Sequence, residues 1–339
     1  MGSRGNDRPI FVVGCPRSGT TLLQVMLHSH PRLAMPPETR FLIRAYLRRH
    51  RFGDLAEPAN RAKVARFITR REDTWFADLG LDPEAVTREI VDGPPTIGSS
   101  LGIVLRAYAA RFGKPRWGDK RPGYHRQMEV LLRLFPDAQF IHLVRDPRDC
   151  VASLKRMSWW KSDSVAAMLA WAQAIDNVAA ARERWPEAIT EIQYERLVAE
   201  PEPELRKLCA FLEEDYDPAM TQPQNAPPDV VPDRKHWHEN ARRPPTTAAI
   251  GRYTENLTAT ELALLQSVLK QRMRRFGYEP VRARRVKPGQ LIGYARRRRQ
   301  SQKELRGWYA IEVSGRAHEP NPVAARLTAA QREAAGRSG

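Results

Sequence analysis

Residues 14–21 have the sequence Gly-Cys-Pro-Arg-Ser-Gly-Thr-Thr and keep the Gly-x4-Gly spacing of a nucleotide-binding loop. In such a loop the backbone N–H groups and the N-terminus of the following helix surround an anion. An NTPase carries a lysine where this chain has Thr20, so the usual positive charge on the β- and γ-phosphates is missing. Arg17 could supply a charge from inside the loop. The pattern indicates a phosphate site, and the simpler alternative is a glycine turn between a strand and a helix.

Four other side chains could move a proton or neutralise charge, although each has a plainer interpretation. Glu38 alone would be favoured as an exposed helix cap or ion-pair carboxylate, since charged residues are rarely buried. Lys120 alone would be a solvated surface lysine. His28 and His30 are rival general bases, but their place at the end of a helix beside Pro31 favours capping or surface positions. Single residues therefore do not identify the chemistry.

Two segments together resemble the nucleotide-binding segments of PAPS-dependent sulfotransferases, where PAPS is 3′-phosphoadenosine 5′-phosphosulfate. Residues 16–21, placed after an apolar strand, are similar to that family's 5′-phosphosulfate loop. The second family segment is a strand followed by an arginine and, eight residues on, a serine that bind the donor's 3′-phosphate. Here residues 140–144 are followed by Arg145 and Ser153. Alone, this Arg-Asp-Pro-Arg segment could be a surface turn or an ion pair, but both segments match in order and distance.

The motifs are closest to the branch of the family that contains tyrosylprotein sulfotransferases. Residues 38–40, Glu-Thr-Arg, resemble the segment whose glutamate is that branch's general base. Residues 119–122, Asp-Lys-Arg-Pro, resemble its segment with a catalytic lysine. The resemblance also implies nucleotide contacts by Tyr194, within Tyr-Glu-x-Leu, and by Arg252, which precedes an aromatic residue in a late loop.

The resemblance implies an enzyme that moves a sulfuryl group from PAPS to a hydroxyl acceptor, giving the nucleotide PAP and a sulfated product. Glu38 would take the acceptor proton, while Arg17 and Lys120 would neutralise the transferring group and the leaving phosphate. Because fixed cations can supply the charge, we expect no metal. The implied catalytic residues are Glu38, Arg17 and Lys120, and the implied donor-binding residues are Arg17, Ser18, Gly19, Thr20, Thr21, Arg145, Ser153, Tyr194 and Arg252.

The resemblance covers about residues 8–280, which we expect to form the sulfotransferase domain. The Pro-rich loop near Trp237 and His238 aligns poorly, so donor contacts in that loop stay open. The acceptor stays open between carbohydrate, lipid, small-molecule and protein tyrosine hydroxyls, because specificity lies in loops and insertions. The oligomeric state is open as well.

Two other functions fit parts of the sequence. A P-loop nucleotide kinase or NTPase would need a lysine in place of Thr20 and a Walker B aspartate after an apolar strand, where Arg145 stands. A non-catalytic nucleotide-binding protein, anchored by a basic tail, would not need Glu38 and Lys120 to be intact. Both alternatives therefore fit the motifs less well than sulfuryl transfer.

Strands and helices alternate along the chain, which predicts an α/β fold with a mainly parallel sheet, flanking helices and helical insertions. A last helix is predicted to begin near Thr258, where Glu261 completes a capping-box pattern. Strands are predicted over residues 10–13, 140–144 and 189–194, helices over 20–28 and 164–185, and a mostly helical stretch over about 40–115. We interpret Trp159, Trp160 and Trp171 as core residues.

The positive charge is concentrated at the C-terminal end. The 339-residue chain has a net charge of +17, and residues 281–339 carry 14 Lys and Arg against 4 Asp and Glu. This segment contains four consecutive arginines at 296–299 and no sustained apolar periodicity, so we predict a basic, flexible, poorly packed tail. We interpret these arginines as solvated. We also expect a weak contact between the tail and an anionic surface. Binding to nucleic acid is the less favoured alternative.

The cysteine pattern and the hydropathy predict the compartment. Cys15, Cys150 and Cys209 have no metal-ligand or redox spacing, which favours a reducing compartment. The apolar run at residues 10–13 is too short for a signal-peptide core, and no run approaches the roughly 18 apolar residues of a membrane span. We therefore expect a soluble, cytoplasmic protein without a transmembrane segment.

Overall fold

A computed structural model of the protein describes residues 7–232 and 241–325. Its five strands form one parallel sheet in the order β2-β3-β1-β4-β5. The strands are β1 (Ile10–Gly14), β2 (Leu33–Ala34), β3 (Arg116–Lys120), β4 (Gln139–Val144) and β5 (Ile189–Gln193). The predicted α/β fold with a parallel sheet is confirmed.

Twelve α-helices lie within the described ranges and surround this sheet. They are α1 (Thr20–Ser29), α2 (Phe41–Leu47), α3 (Pro58–Thr69), α4 (Pro83–Asp92), α5 (Ile97–Ala110), α6 (Met128–Leu134), α7 (Pro147–Lys155), α8 (Ser164–Arg184), α9 (Tyr194–Ala199), α10 (Pro201–Leu212), α11 (Ala259–Arg275) and α12 (Pro288–Arg316). Helices α2 to α5 form the predicted helical stretch between β2 and β3. None of the helices that the structure describes combines the length and the apolar composition needed to cross a membrane.

Strand β1 lies at the centre of the sheet and is buried on both faces. Phe11 and Val13 pack into a core that includes side chains of α5 and α6, whereas Ile10 and Val12 pack with side chains of α1 and α10. Strands buried on both faces are expected in a parallel sheet whose crossover helices cover both sides. The sequence therefore shows an uninterrupted apolar run at residues 10–13 rather than an alternating pattern.

Helix ends follow local capping chemistry that could be predicted. Asp163 accepts a hydrogen bond from the backbone N–H of Ala166 at the start of α8. Thr258 and Glu261 form the predicted capping box at the start of α11. Each such cap satisfies N–H groups that have no partner within the helix, and a cap is typically worth about 1 kcal/mol.

The C-terminal region differs from the predicted unpacked tail. Residues 288–316 form α12, and Glu312 of this helix accepts a hydrogen bond from the hydroxyl of Tyr46, at 2.5 Å. Further along, the backbone N–H of Gly98 donates to the carbonyl of Val323, at 2.9 Å. The contacts are widely spaced side chains and ion pairs rather than a regular apolar stripe, so local patterning did not indicate them. Where the domain ends stays a prediction, and residues 326–339 lie outside the described ranges.

Candidate active site

A cleft of about 700 Å³ lies at the edge of the sheet where the strands end. Ligands of open α/β sheets bind at this edge because the loops after parallel strands meet there. The strand ends bring together the loop after β1, Lys120 at the end of β3 and Arg145 after β4. The predicted site residues that line the cleft are Arg17, Gly19, Thr20, Thr21, Glu38, Arg145, Ser153, Tyr194 and Arg252. Ser18 and Lys120 are buried directly behind this lining.

The loop between β1 and α1 has the geometry of an anion cradle. Gly19 has a φ of 96° and is the N-cap residue of α1, so the N–H groups of the first helical turn face the cleft. A Cβ atom at Gly19 would come within 2.4 Å of the ring of Tyr194. The hydroxyl of Ser18 is buried and has no hydrogen-bond partner among the described residues. A buried hydroxyl without a partner is costly, and a bound anion would satisfy it.

Arg145 is held at the cleft wall by three kinds of contact. Its guanidinium donates to the carbonyls of Arg17, at 3.2 Å, and Ala249, at 2.6 Å. It lies 4.3 Å from the ring centroid of Tyr194, and Asp149 is 3.9 Å away. The Nε atom of Arg145 is buried and has no partner within the described part of the chain. This arginine is therefore fixed in place and still has a donor to offer a ligand.

Arg17 connects the two predicted phosphate sites. Its Nε donates to the hydroxyl of Ser153 on α7, at 3.1 Å, although Arg17 itself belongs to the loop after β1. Burial lowers the pKa of the Arg17 guanidinium, and the positive charge of Arg145 adds to this effect. Two cations held this close indicate a site for a ligand with more than one negative charge.

Glu38 and Lys120 form an ion pair at the bottom of the cleft. Lys120 Nζ lies 2.5 Å from a Glu38 carboxylate oxygen and 3.1 Å from the hydroxyl of Thr21. The Lys120 side chain is 1% exposed, whereas that of Glu38 is 20% exposed and lines the cleft. The structure thus brings together the glutamate, the lysine and the phosphate loop that the resemblance placed in one site.

A buried carboxylate that was not predicted from the sequence supports this pair. Asp119 accepts hydrogen bonds from the hydroxyls of Thr39, at 3.0 Å, and Tyr124, at 2.7 Å. It also accepts one from the backbone N–H of Lys120, at 2.9 Å. Burial raises the pKa of Asp119 to about 6, although these hydrogen bonds oppose the shift. The network joins the residue after Glu38 to the residue before Lys120 and so fixes their separation.

Arg252 lies at the rim of the cleft rather than deep inside it. Its side chain is 50% exposed and forms an ion pair with Glu255, at 2.9 Å. Asp149 anchors this late loop by accepting hydrogen bonds from the backbone N–H groups of Gly251, at 2.8 Å, and Tyr253, at 2.9 Å. Arg252 therefore lines the cleft with a more solvated guanidinium than that of Arg145, and its contact with the nucleotide stays a prediction.

Several cleft residues were not assigned from the sequence. The guanidinium of Arg40 lies 3.6 Å from the ring centroid of Trp75, next to Glu38. Trp75 has a φ of 60°, which is rare for a bulky residue and is often associated with functional sites. Trp159 is 41% exposed and lines the cleft, so its assignment to the core is wrong, whereas Trp171 is buried as predicted. Neither Trp75 nor Trp159 belongs to a motif that could have revealed it.

The two rival histidines are buried in the core, not at the surface or in the cleft. His28 Nδ1 accepts a hydrogen bond from the backbone N–H of Met35, at 3.1 Å, and its ring packs edge-on against Phe112. Burial lowers the pKa of His28 to about 3. His30 contacts the carbonyl of Asp215, at 2.8 Å. His30 is the C-cap residue of α1, so its predicted capping position is confirmed, whereas a surface position is wrong for both histidines. Neither histidine lines the cleft, so both stay poor candidates for the base.

Charge in the cleft favours an anionic ligand. The acidic side chains in the lining are Glu38 and Asp149, and Asp149 already accepts backbone hydrogen bonds. The described residues contain no group of three or more His, Cys, Asp and Glu that could hold a metal ion. The loop near Trp237 and His238 lies outside the described residues. The cationic side chains in the lining are Arg17, Arg40, Arg121, Arg145, Arg156 and Arg252.

Comparisons with known proteins agree with this geometry. Residues 9–218 match the sulfotransferase family. Protein-tyrosine sulfotransferase A of Caenorhabditis elegans is 26% identical over 279 residues, which cover 80% of this chain and 67% of that protein. Nodulation protein NoeE of Sinorhizobium fredii is 29% identical over 238 residues, which cover 62% of this chain and half of that protein. The solved sulfotransferase domain from the Synechococcus PCC 7002 olefin synthase is 25% identical with a TM-score of 0.55, and the match covers 82% of this chain and 98% of that domain.

Proposed function

The chain belongs to the sulfotransferase family, and from this premise we propose that it transfers a sulfuryl group from PAPS to a hydroxyl acceptor, releasing PAP and a sulfated product. The observation that carries the proposal is the convergence of three groups on one cleft. These are the phosphate loop at residues 14–21, the Arg145 and Ser153 pair, and the Glu38 and Lys120 ion pair.

The residues present fit the donor nucleotide. Residues 14–21 would surround the 5′-phosphosulfate, where the hydroxyl of Ser18 and the first turn of α1 offer hydrogen-bond donors. Arg145 and Ser153 would hold the 3′-phosphate, and Arg145 still has its buried Nε to donate. Tyr194 packs against both Gly19 and Arg145, so it sets the distance between the two phosphate sites.

The chemistry requires a base and fixed positive charge. In an in-line transfer, the acceptor oxygen attacks sulfur while the bond between sulfur and the bridging oxygen breaks, and the electron pair leaves with PAP. Glu38 faces the cleft and would take the acceptor's proton. Lys120 contacts both Glu38 and Thr21, so it can orient the base and stabilise the charge on the leaving oxygen. Arg17 would neutralise the transferring group.

We propose that no metal takes part, because the cleft supplies positive charge itself. Arg17, Arg145 and Lys120 stand within one site, with backbone N–H groups of α1 beside them. Preorganised charges of this kind act strongly in a partly buried site, since they need no reorganisation during the reaction. Phosphoryl transferases usually depend on Mg²⁺ for the same purpose.

The identity of the acceptor is a separate question. One relative carries the name protein-tyrosine sulfotransferase, which makes a tyrosine hydroxyl one candidate among carbohydrate, lipid and small-molecule hydroxyls. Trp75, Arg40 and Trp159 also line the cleft and are the side chains that we expect to contact the acceptor. A cytoplasmic location stays a prediction, as does the oligomeric state.

Calorimetric titration with PAP and, separately, with ATP and Mg²⁺ tests the donor assignment. We expect PAP to bind and ATP to bind far more weakly, since Thr20 replaces the lysine of an NTPase loop. Binding of ATP in preference to PAP would favour the nucleotide kinase or NTPase. Binding of PAP without any turnover of PAPS, across a screen of hydroxyl acceptors, would favour a non-catalytic binding protein.

A further inference from the structure

Helix α12 presents one face to the protein and the opposite face to solvent. On the inner face Tyr294 is buried, Ser301 accepts a hydrogen bond from Gln173 of α8, at 2.5 Å, and Trp308 packs against the core. Glu312 continues this face one turn later. These positions recur every seven or four residues, which is the spacing of one side of an α-helix. These contacts fix the rotation of α12 about its axis, and helix geometry then determines which residues lie on the solvent side.

The outer face of α12 is a basic stripe. With 100° between successive residues, the positions opposite Tyr294 and Ser301 are 292, 296, 299, 303 and 306. We define the basic stripe as Arg296, Arg299, Lys303 and Arg306, all of which are exposed. No ion pair to these four residues occurs within residues 7–232 and 241–325, whereas Arg297, on the flank, pairs with Asp163. The stripe is about 15 Å long at 1.5 Å per residue.

Positive charge extends from the stripe into the segment before the helix. Residues 281–306 contain ten Lys and Arg and one acidic residue, Glu304. Glu304 accepts a hydrogen bond from Gln300 and neutralises no arginine of the stripe. A surface with this charge excess attracts an anionic partner over about a Debye length. Exposed surface charges contribute little to the stability of the fold. The unpaired positive charge therefore indicates a role in binding an anionic partner.

Exposed aliphatic side chains lie beside this charge. Ile292 is 68% exposed at the N-terminal end of the same face, and Leu291 next to it is 42% exposed. Bases of single-stranded nucleic acids stack on exposed aromatic rings, but the one aromatic residue among residues 281–306, Tyr294, is buried. Aliphatic side chains flanked by arginines instead suit the boundary between lipid headgroups and acyl chains.

We propose that the basic stripe of α12 docks the protein on an anionic lipid surface, with Leu291 and Ile292 entering the headgroup layer. A rigid helix with its cations on one side can lie flat on a membrane and bring all four to the headgroups together. Each basic residue near such a surface strengthens partitioning roughly fivefold. The proposal does not depend on the donor or the acceptor of the enzyme.

Vesicle co-sedimentation with the full-length protein tests the docking. We expect binding to phosphatidylcholine vesicles that contain phosphatidylserine, little binding to pure phosphatidylcholine, and loss of binding at high salt. The variant that combines Arg296→Gln, Arg299→Gln, Lys303→Gln and Arg306→Gln should bind at least about a hundredfold more weakly. Its affinity for PAP should be unchanged, which confirms that it is folded.

A matched control distinguishes the effect of charge position on vesicle binding from the effect of net charge. The variant that combines Arg51→Gln, Arg66→Gln, Arg70→Gln and Arg88→Gln removes the same number of charges from exposed positions in the helical insertion. It should keep most of the vesicle binding. Equal loss in both variants would overturn the proposal, as would absence of binding by the wild type.

Two further measurements distinguish lipid from nucleic acid. Ile292→Ser should weaken the part of vesicle binding that persists at moderate salt, since that part depends on apolar insertion. Fluorescence anisotropy with labelled single-stranded and duplex oligonucleotides should show weak binding that the four-residue variant hardly changes. Tight oligonucleotide binding that the same variant abolishes, together with weak vesicle binding, would overturn the proposal in favour of nucleic acid.

Discussion

Lys120 Nζ lies 2.5 Å from a carboxylate oxygen of Glu38, although the two residues are 82 positions apart in the chain. The same ammonium group is 3.1 Å from the hydroxyl of Thr21 in the phosphate loop. One buried cation thus touches both the proposed base and the loop that would hold the leaving phosphate. This contact links the acceptor side of the cleft to the donor side, so one lysine can orient the base and stabilise the leaving oxygen.

Arg145→Ala should weaken PAP binding by about 2–5 kcal/mol, the range for removing one partner of a buried, hydrogen-bonded charge pair. Arg145 is 9% exposed and offers an unused buried Nε to the ligand. Titration calorimetry measures the loss directly. Arg252→Ala is the comparison, and its effect should be smaller because the Arg252 side chain is 50% exposed at the rim. Unchanged PAP affinity in a folded Arg145→Ala protein would refute the 3′-phosphate assignment.

Gly19→Ala should destabilise the fold by about 1–3 kcal/mol and weaken PAP binding, since the residue has a φ of 96° and the new Cβ would meet the ring of Tyr194 at 2.4 Å. Thermal unfolding and calorimetry measure the two effects. Gly123→Ala is the matched control: Gly123 also lines the cleft, but no atom lies within 4 Å of its added Cβ. A Gly19→Ala variant with unchanged stability and unchanged PAP affinity would show that the loop does not need a glycine at this position.

Acidification should destabilise the protein through His28. The folded-state pKa of about 3 lies below the ordinary 6.5, so the unfolded chain binds the proton more readily. The stability is therefore complete above about pH 6.5 and falls as the pH drops towards 3. At pH 5.5 this histidine alone should cost about 1.4 kcal/mol. His28→Asn keeps an acceptor for the N–H of Met35 and should flatten the dependence of Tm on pH between 7 and 5; an unchanged slope would contradict this origin.

Glu319→Ala should destabilise the protein by about 3 kcal/mol, near the low end for breaking a buried ion pair. Glu319 accepts hydrogen bonds from Arg49, at 2.6 Å, and Arg133, at 2.6 Å, and the Arg49 side chain is 6% exposed. Urea unfolding measures the loss. Glu304→Ala, on the exposed side of α12, should change stability by less than about 0.5 kcal/mol. If Glu319→Ala and Glu304→Ala both changed the free energy of unfolding by equal, small amounts, the C-terminal region would be unpacked, as the sequence predicted.

The sequence was most informative where structure is local. The strand, glycine loop and helix at residues 10–29 depend on neighbouring residues, so their order could be predicted within a residue or two. The capping box at Thr258 is equally local. Arg145 lines the cleft because it directly follows a buried strand, and parallel strands end at one edge of the sheet.

Long-range packing explains what could not be predicted. The ordering of α12 depends on Tyr46, Arg49 and Arg133, which meet Glu312 and Glu319 only in the folded chain. From the sequence, His28 was predicted to lie at the surface or at a helix cap. In the folded chain its ring packs against the ring of Phe112. Trp75 lies in the cleft with a positive φ of 60°. Tryptophan rarely adopts this backbone conformation, so the residue type did not predict it.

Transfer of labelled sulfuryl from PAPS, measured for the wild type and for Glu38→Gln, tests the central claim most directly. The glutamine keeps the shape of the side chain and loses only the proton acceptor, so PAP affinity should stay near that of the wild type. The account predicts that kcat falls by about two to four orders of magnitude, the usual worth of a general base. A Glu38→Gln enzyme that keeps most of its turnover, or a wild type that binds PAP and transfers no label to any hydroxyl acceptor, would contradict it.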